Sequence, residues 1–266
     1  SPITQIIISN FGWREAWLIF GLMMLIVTLP TAFFILRRSP EDMGLLPDGD
    51  VEDDTTGSNT NGLTSKARQE ISWTVAEAIR TPTLWLMVAA FSVNGLALSQ
   101  ILTHQAAYVT DKGFSDSVAA GVVTIFAGMS ALANLIWGLL SDKFPIRSLV
   151  ILSFIISSVG VAFLLMADNI YMLFLYLLIY GATRGVASLT GLAYANYWGR
   201  AFIGSIRGFV TPLNVAASAA GPLLAALIFD LRGSYIVAFS ASLGLFLVAA
   251  ALMVLAVPPK KPDSAI

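Results

Sequence analysis

The residue with the most chemistry to explain is Arg184. From Asn169 to Gly199 it is the only charged side chain. An apolar run of that length reads as a membrane-spanning helix, because about 20 residues cross the hydrocarbon. An arginine deep in such a helix costs roughly 3 to over 10 kcal/mol. A long side chain can snorkel to the interface only from near a helix end, and Arg184 is far from both ends. It therefore needs an anion or a ring of acceptors inside the protein. No Asp or Glu lies deep in an apolar run. Either a missing partner supplies the anion, or a ligand does. Guanidinium forks suit carboxylates, so the chemistry expected is reversible binding of a small anion. The alternative is that Arg184 pairs structurally with an acid elsewhere or with backbone carbonyls.

Other polar side chains also fall inside apolar runs. Asn94, Gln100 and His104 share one run, Asn134 lies in a second and Asn214 in a third. Buried polar groups in a bilayer need partners, so they face protein or water rather than lipid. These residues join Arg184 as the expected substrate-binding set, each amide also fitting an ordinary interhelical hydrogen bond. His104 is the chain's one histidine, and histidine titrates near neutrality. It is the candidate for proton coupling, or else a hydrogen-bonded structural histidine near the interface.

These side chains must be held by spans. The apolar runs fall at about 16–36, 83–106, 117–140, 148–167, 170–195, 207–229 and 235–257, with a shorter stub at Ser1 to Ser9. Spans 16–36, 148–167 and 235–257 carry no Asn, Gln, His, Lys or Arg in their cores and read as lipid-facing support. Of the 15 Lys and Arg, Arg184 aside, only Arg14, Lys112 and Arg232 fall in one alternate set of connections. The positive-inside rule puts the other set, and with it the C-terminus, in the cytoplasm. Hydrophobic residues make up 57% of the chain and charged residues 12%, which is about half the usual charged share. The net charge is −1, so there is no case for nucleic-acid binding. There are no cysteines, which excludes disulfides and cysteine metal sites. Neither a metal nor a cofactor is expected.

The chain divides into 1–36, the end of one helix and a whole one; 37–82, a connecting loop; 83–259, a six-helix bundle; and 260–266, a tail. Within the loop, Asp48 to Ser65 is acidic and then rich in Gly, Ser, Thr and Asn, and reads as a disordered linker. Thr74 and Glu77 have capping-box spacing, which predicts a short helix to about Arg80 with Trp73 at the lipid interface. Pro82 suits the first turn of the next span. In span 207–229 the pairs Ala216/Ala220 and Ala217/Gly221 put small residues on shared faces, inviting close approach by a neighbour. Gly221-Pro222 and Thr211-Pro212 predict bends.

The run from Gly138 to Arg147 closes one span and opens the next. Asp142 can meet a helix N-terminus and Arg147 can pair with it, while Gly138 permits close backbone approach. This loop resembles the signature G-x-L-S-D-[RK]-x-G-[RK]-[RK] of the major facilitator superfamily, in its copy between the eighth and ninth helices. Gly138, Leu140, Ser141, Asp142, Lys143 and Arg147 match, and Pro145 and Ile146 depart. Four further stretches are similar to the same superfamily: Phe11 to Arg14, Arg38 to Leu45, Gly199-Arg200 with Gly204 to Gly208, and Gly221-Pro222 with Phe229-Asp230 and Gly233 to Tyr235. They look most like the monocarboxylate and oxalate–formate antiporter branch.

The resemblance implies an all-α membrane protein. The chain would be the C-terminal half of such a bundle, from the end of helix five to helix twelve, with seven spans and a partial one. It implies a multi-pass secondary transporter of the plasma or inner membrane, working by alternating access as a full-length monomer whose N-terminal half is missing here. Gly138, Asp142, Lys143 and Arg147 would form its cytoplasmic gating motif. The branch's basic substrate residue on helix eight has no counterpart, since that span carries no charge; Arg184 on helix ten would take its place. A carboxylate or other anion is then the expected substrate. The alternatives are a neutral or cationic compound with Arg184 structural, or a non-transporting membrane receptor or partner protein. A retinal protein needs a lysine in a span, and none is there. An intramembrane enzyme needs paired aspartates, a histidine set or a Ser–base pair, and these are missing too.

Overall fold

A computed structural model describes residues 7–8, 10–35 and 72–259. They fall into two units, one within 1–65 and one within 66–266. The linker Asp48–Ser65, the stretch Arg38–Leu45, the tail 260–266 and most of the stub Ser1–Ser9 lie outside the described residues.

In the first unit, helix α1 (Trp13–Pro30) runs into a π-helical turn, Thr31–Ile35. Pro30 has no N–H to donate to the carbonyl four residues back. Thr31 Oγ1 donates to Val27 O at 2.6 Å. Together they loosen the last turn into the wider geometry.

The second unit is a bundle of helices. It comprises α2 (Val75–Ile79), α3 (Pro82–Asp111), α4 (Asp116–Ser141), α5 (Ile146–Leu165), α6 (Ile170–Ala182), a 3₁₀ turn (Thr183–Gly185), α7 (Val186–Trp198), α8 (Ile203–Arg232) and α9 (Ile236–Leu255). With α6 and α7 counted as one crossing, the described residues hold seven segments long and apolar enough to span a membrane. These are the seven spans expected, and no strand occurs among the described residues.

Local chemistry sets the helix starts. Thr74 N donates to Glu77 Oε2 at 2.7 Å and Thr74 Oγ1 accepts from Glu77 N at 3.3 Å, so the capping box is complete. Thr81 caps α3, with Pro82 in its first turn. Ser115 caps α4 and Asn169 caps α6. Trp73 is not at the lipid interface. It is only 5% exposed. Its N–H donates to Trp198 O at 2.9 Å, which draws the segment onto the end of α7 and buries the indole in the core.

α3 packs against both α8 and α9, α9 also packs on α5, and α5 on α6. α4 packs on α6 and on the 3₁₀ turn. Spans 148–167 and 235–257 each bury one face in the bundle and expose an apolar face, as with Leu152, Ile155 and Val159 or Leu247, Val248 and Leu255. Phe239, Phe246 and Met253 of α9 are fully buried, as are Val150 and Val161 of α5. Ser242 of α9 donates to Gln100 of α3 in the core. The polar groups of these spans are serines, which satisfy themselves on helix carbonyls and so escape a count of amides and charges.

α8 stays helical through both Pro212 and Pro222. Pro222 leaves Ser218 O without its helical donor, and Ser99 Oγ of α3 donates to that carbonyl at 2.6 Å. The expected small-residue face is used here. A Cβ on Gly221 would sit 2.3 Å from Leu96 O, so only glycine allows this crossing.

Arg147 does not pair with Asp142. Its guanidinium donates to Met253 O at 3.4 Å and to Val254 O. The open carbonyls at the C-terminus of α9 attract the cation more closely than a solvated carboxylate does. Tyr197 Oη donates to Ala256 O and Thr83 Oγ1 to Val257 O, each at 2.8 Å. The end of the last helix is thus tied to three others.

Candidate functional site

Arg184 lies in the 3₁₀ turn that interrupts the crossing between α6 and α7. The interruption has visible causes. Gly185 touches α4, and a Cβ there would come within 2.4 Å of Ala133 O and 2.5 Å of Trp137 Cδ1. Trp137 Nε1 donates to Ala182 O, capping a carbonyl at the end of α6. Thr183 Oγ1 donates to Tyr180 O at 2.7 Å, and Ser188 Oγ to Gly185 O at 2.6 Å. Irregular backbone at membrane depth is tolerated where it is buried in protein or lines a cavity.

A cavity of about 180 Å³ opens beside this turn. Thr183, Arg184 and Thr190 line it from the interrupted crossing, and Phe91, Asn94 and Leu98 from α3. α5 adds Ser153, Phe154 and Ser157, and α8 adds Asn214. Arg184 makes no ion pair or hydrogen bond with a described residue. Asn94 also has no hydrogen-bond partner among them. Asn214 Oδ1 accepts from Ser92 Oγ at 2.8 Å, and its amide also faces the buried Tyr194 phenol. No Asp, Glu, His, Lys or Cys lines the cavity. One fixed cation among neutral polar groups can bind and release an anion.

Of the expected binding residues, Arg184, Asn94 and Asn214 thus meet at one cavity. The others lie elsewhere. Gln100 is buried and accepts from Ser242 Oγ. Asn134 is exposed, and its Nδ2 donates to Ser130 O at 2.8 Å on its own helix. His104 Nε2 contacts Pro222 O at 3.1 Å, and its ring lies 4.9 Å from that of Tyr235. In the signature loop, Asp142 and Lys143 are exposed. Gly138 meets no atom within 4 Å of where a Cβ would sit, so no close approach occurs there within the described residues.

Sequence reasoning missed Ser153, Ser157, Thr183 and Thr190 at the cavity. The available signal was the spacing of Ser153 and Ser157, four apart and so on one face of α5. It also missed Gln105, whose Oε1 accepts from buried Tyr176 Oη at 2.7 Å.

The structure defines a helical membrane bundle in which a polar cavity holds an unpaired cation at a 3₁₀ turn within one crossing. The Major Facilitator Superfamily model matches residues 1–126 and 106–266. The chain belongs to the major facilitator superfamily, a superfamily of secondary transporters. No curated protein matches the chain.

Proposed function

We propose that the full-length protein transports a small organic anion, a carboxylate first of all, by alternating access, and that Arg184 binds the anionic group. The observation that carries this reading is Arg184 itself, unpaired at a helix interruption and lining a cavity free of carboxylates. Discontinuous helices at membrane depth are a recurrent means of binding charged substrates in transporters. Asn94 and Asn214 add neutral hydrogen bonds. Gln100 and Asn134 act from outside the cavity, through the α3–α9 contact and the surface of α4. On this reading the chain is the portion from the end of helix five through helix twelve, in the monocarboxylate and oxalate–formate branch. A missing N-terminal half supplies the other wall, and the whole works as a monomer in the plasma or inner membrane. The C-terminus is cytoplasmic, and Gly138, Asp142, Lys143 and Arg147 belong to the gating loop on that side. His104, held against Pro222 O beside Tyr235, is the group we assign to proton coupling.

The test is uptake of labelled small carboxylates into liposomes carrying the full-length parent. Arg184→Ala is expected to abolish saturable uptake. Arg184→Lys should retain a charge but lose the fork, weakening uptake by about tenfold or more. Undiminished uptake in both variants would make Arg184 structural.

A further inference from the structure

The hydroxyls at the cavity have mostly committed their protons. Ser153 Oγ donates to Val150 O at 2.7 Å, Ser157 Oγ to Ser153 O at 2.8 Å and Thr183 Oγ1 to Tyr180 O at 2.7 Å. A hydroxyl has one proton and two lone pairs. These three groups therefore offer a ligand acceptors only. The donors at the same cavity are different side chains: the guanidinium of Arg184 and the amide of Asn94. Phe91 and Phe154 supply apolar wall to the cavity.

This division specifies a ligand. One part must be anionic and accept from Arg184. The rest gains by donating, because the remaining lone pairs of these hydroxyls then find protons. Hydroxyl groups on a short carbon chain meet that need. Among the described residues a second carboxylate would find no second cation at the cavity.

We propose that Ser153 and Ser157 are specificity-determining residues. The ligand they select is a small monocarboxylate carrying at least two hydroxyl groups on its chain. The proposal rests on the reading of Arg184 as the anion site. It assigns substrate selection to α5, a span whose sequence looks purely supportive.

The experiment compares matched pairs of labelled acids in liposomes carrying the full-length transporter: propionate with glycerate, and butyrate with threonate. The wild type is expected to favour the hydroxylated member by about tenfold in kcat/KM, the worth of one to two buried hydrogen bonds. Ser153→Ala and Ser157→Ala should each reduce that ratio several-fold, and the double variant should bring it near one. Arg184→Ala should remove uptake of both members alike. Arg184-dependent uptake with no preference for hydroxyls overturns the proposal while leaving the anion site standing, whatever the serine variants do. The same holds for a preference that survives in the double variant. Anion uptake that is absent, or indifferent to Arg184, overturns both.

Discussion

Gly185→Ala is the sharpest test of why the helix breaks at Arg184. The added Cβ would lie 2.4 Å from Ala133 O and 2.5 Å from Trp137 Cδ1. Carbon and oxygen do not approach so closely, and Ala133 O is backbone, so it cannot swing aside as a side-chain tip could. Either α4 or the 3₁₀ turn must retreat by about an ångström. Overpacking of this kind costs typically 1–3 kcal/mol. That corresponds to a fall in melting temperature of roughly 2–10 °C for a protein of this size. Retreat also strains the Trp137 Nε1 bond to Ala182 O and moves Arg184, the preceding residue, relative to Asn94 and Asn214. A 1 Å misplacement at a site can cost about 10²-fold in function. Thermal melting of the purified protein and KM for the proposed anion substrate are the two readouts. Gly244→Ala is the control, because a Cβ there meets nothing within 4 Å and alanine should hold or slightly raise stability. If Gly185→Ala matched the wild type in both readouts, the packing explanation of the break would be wrong.

Two more predictions concern the scaffold. Ser242→Ala strips buried Gln100 Oε1 of its donor and should cost about 1–3 kcal/mol, measured as a lower melting temperature, whereas Asn134→Ala should change it little. Gly221→Ala sets a Cβ 2.3 Å from Leu96 O and 2.4 Å from Ser99 Oγ; it should push α8 off α3 and reduce the monodisperse fraction on size exclusion.

What could be read from the sequence was whatever depends on local spacing or on span length. The seven spans follow from apolar runs near membrane thickness. The Thr74–Glu77 box follows from a three-residue spacing that local backbone geometry satisfies alone. Arg184 was legible because a charge in an apolar run needs explaining at any depth. The features that stayed hidden depend on a second helix. The 3₁₀ turn at Thr183–Gly185 is made by contact with Ala133 and Trp137, far away in sequence. Trp73 is buried because its backbone finds Trp198 O, and an interfacial tryptophan has the same composition. Gln100 and Asn94 look alike on paper, both amides in α3, yet one meets Ser242 and the other a cavity. Serines hide best, because a serine that donates to its own helix still scores as nearly apolar.

The electrostatics of the break bear on the proposed transport cycle. α6 ends and α7 begins on either side of Arg184. The C-terminal end of a helix favours a cation and the N-terminal end an anion. α6 cannot neutralise the guanidinium fully, because Ala182 O and Tyr180 O already accept from Trp137 and Thr183. An anion in the cavity would meet Arg184 with a favourable sign. At about 4 Å and an effective dielectric near 20, one such charge pair is worth about 4 kcal/mol. The empty site therefore carries a cation that must be kept near water, while the loaded site is close to neutral. Sealing the cavity from both sides is then costly when empty and much less so when filled. A substrate that lowers the cost of closure in this way couples its own binding to the rocking of the bundle, because only differential binding between two states can shift their balance.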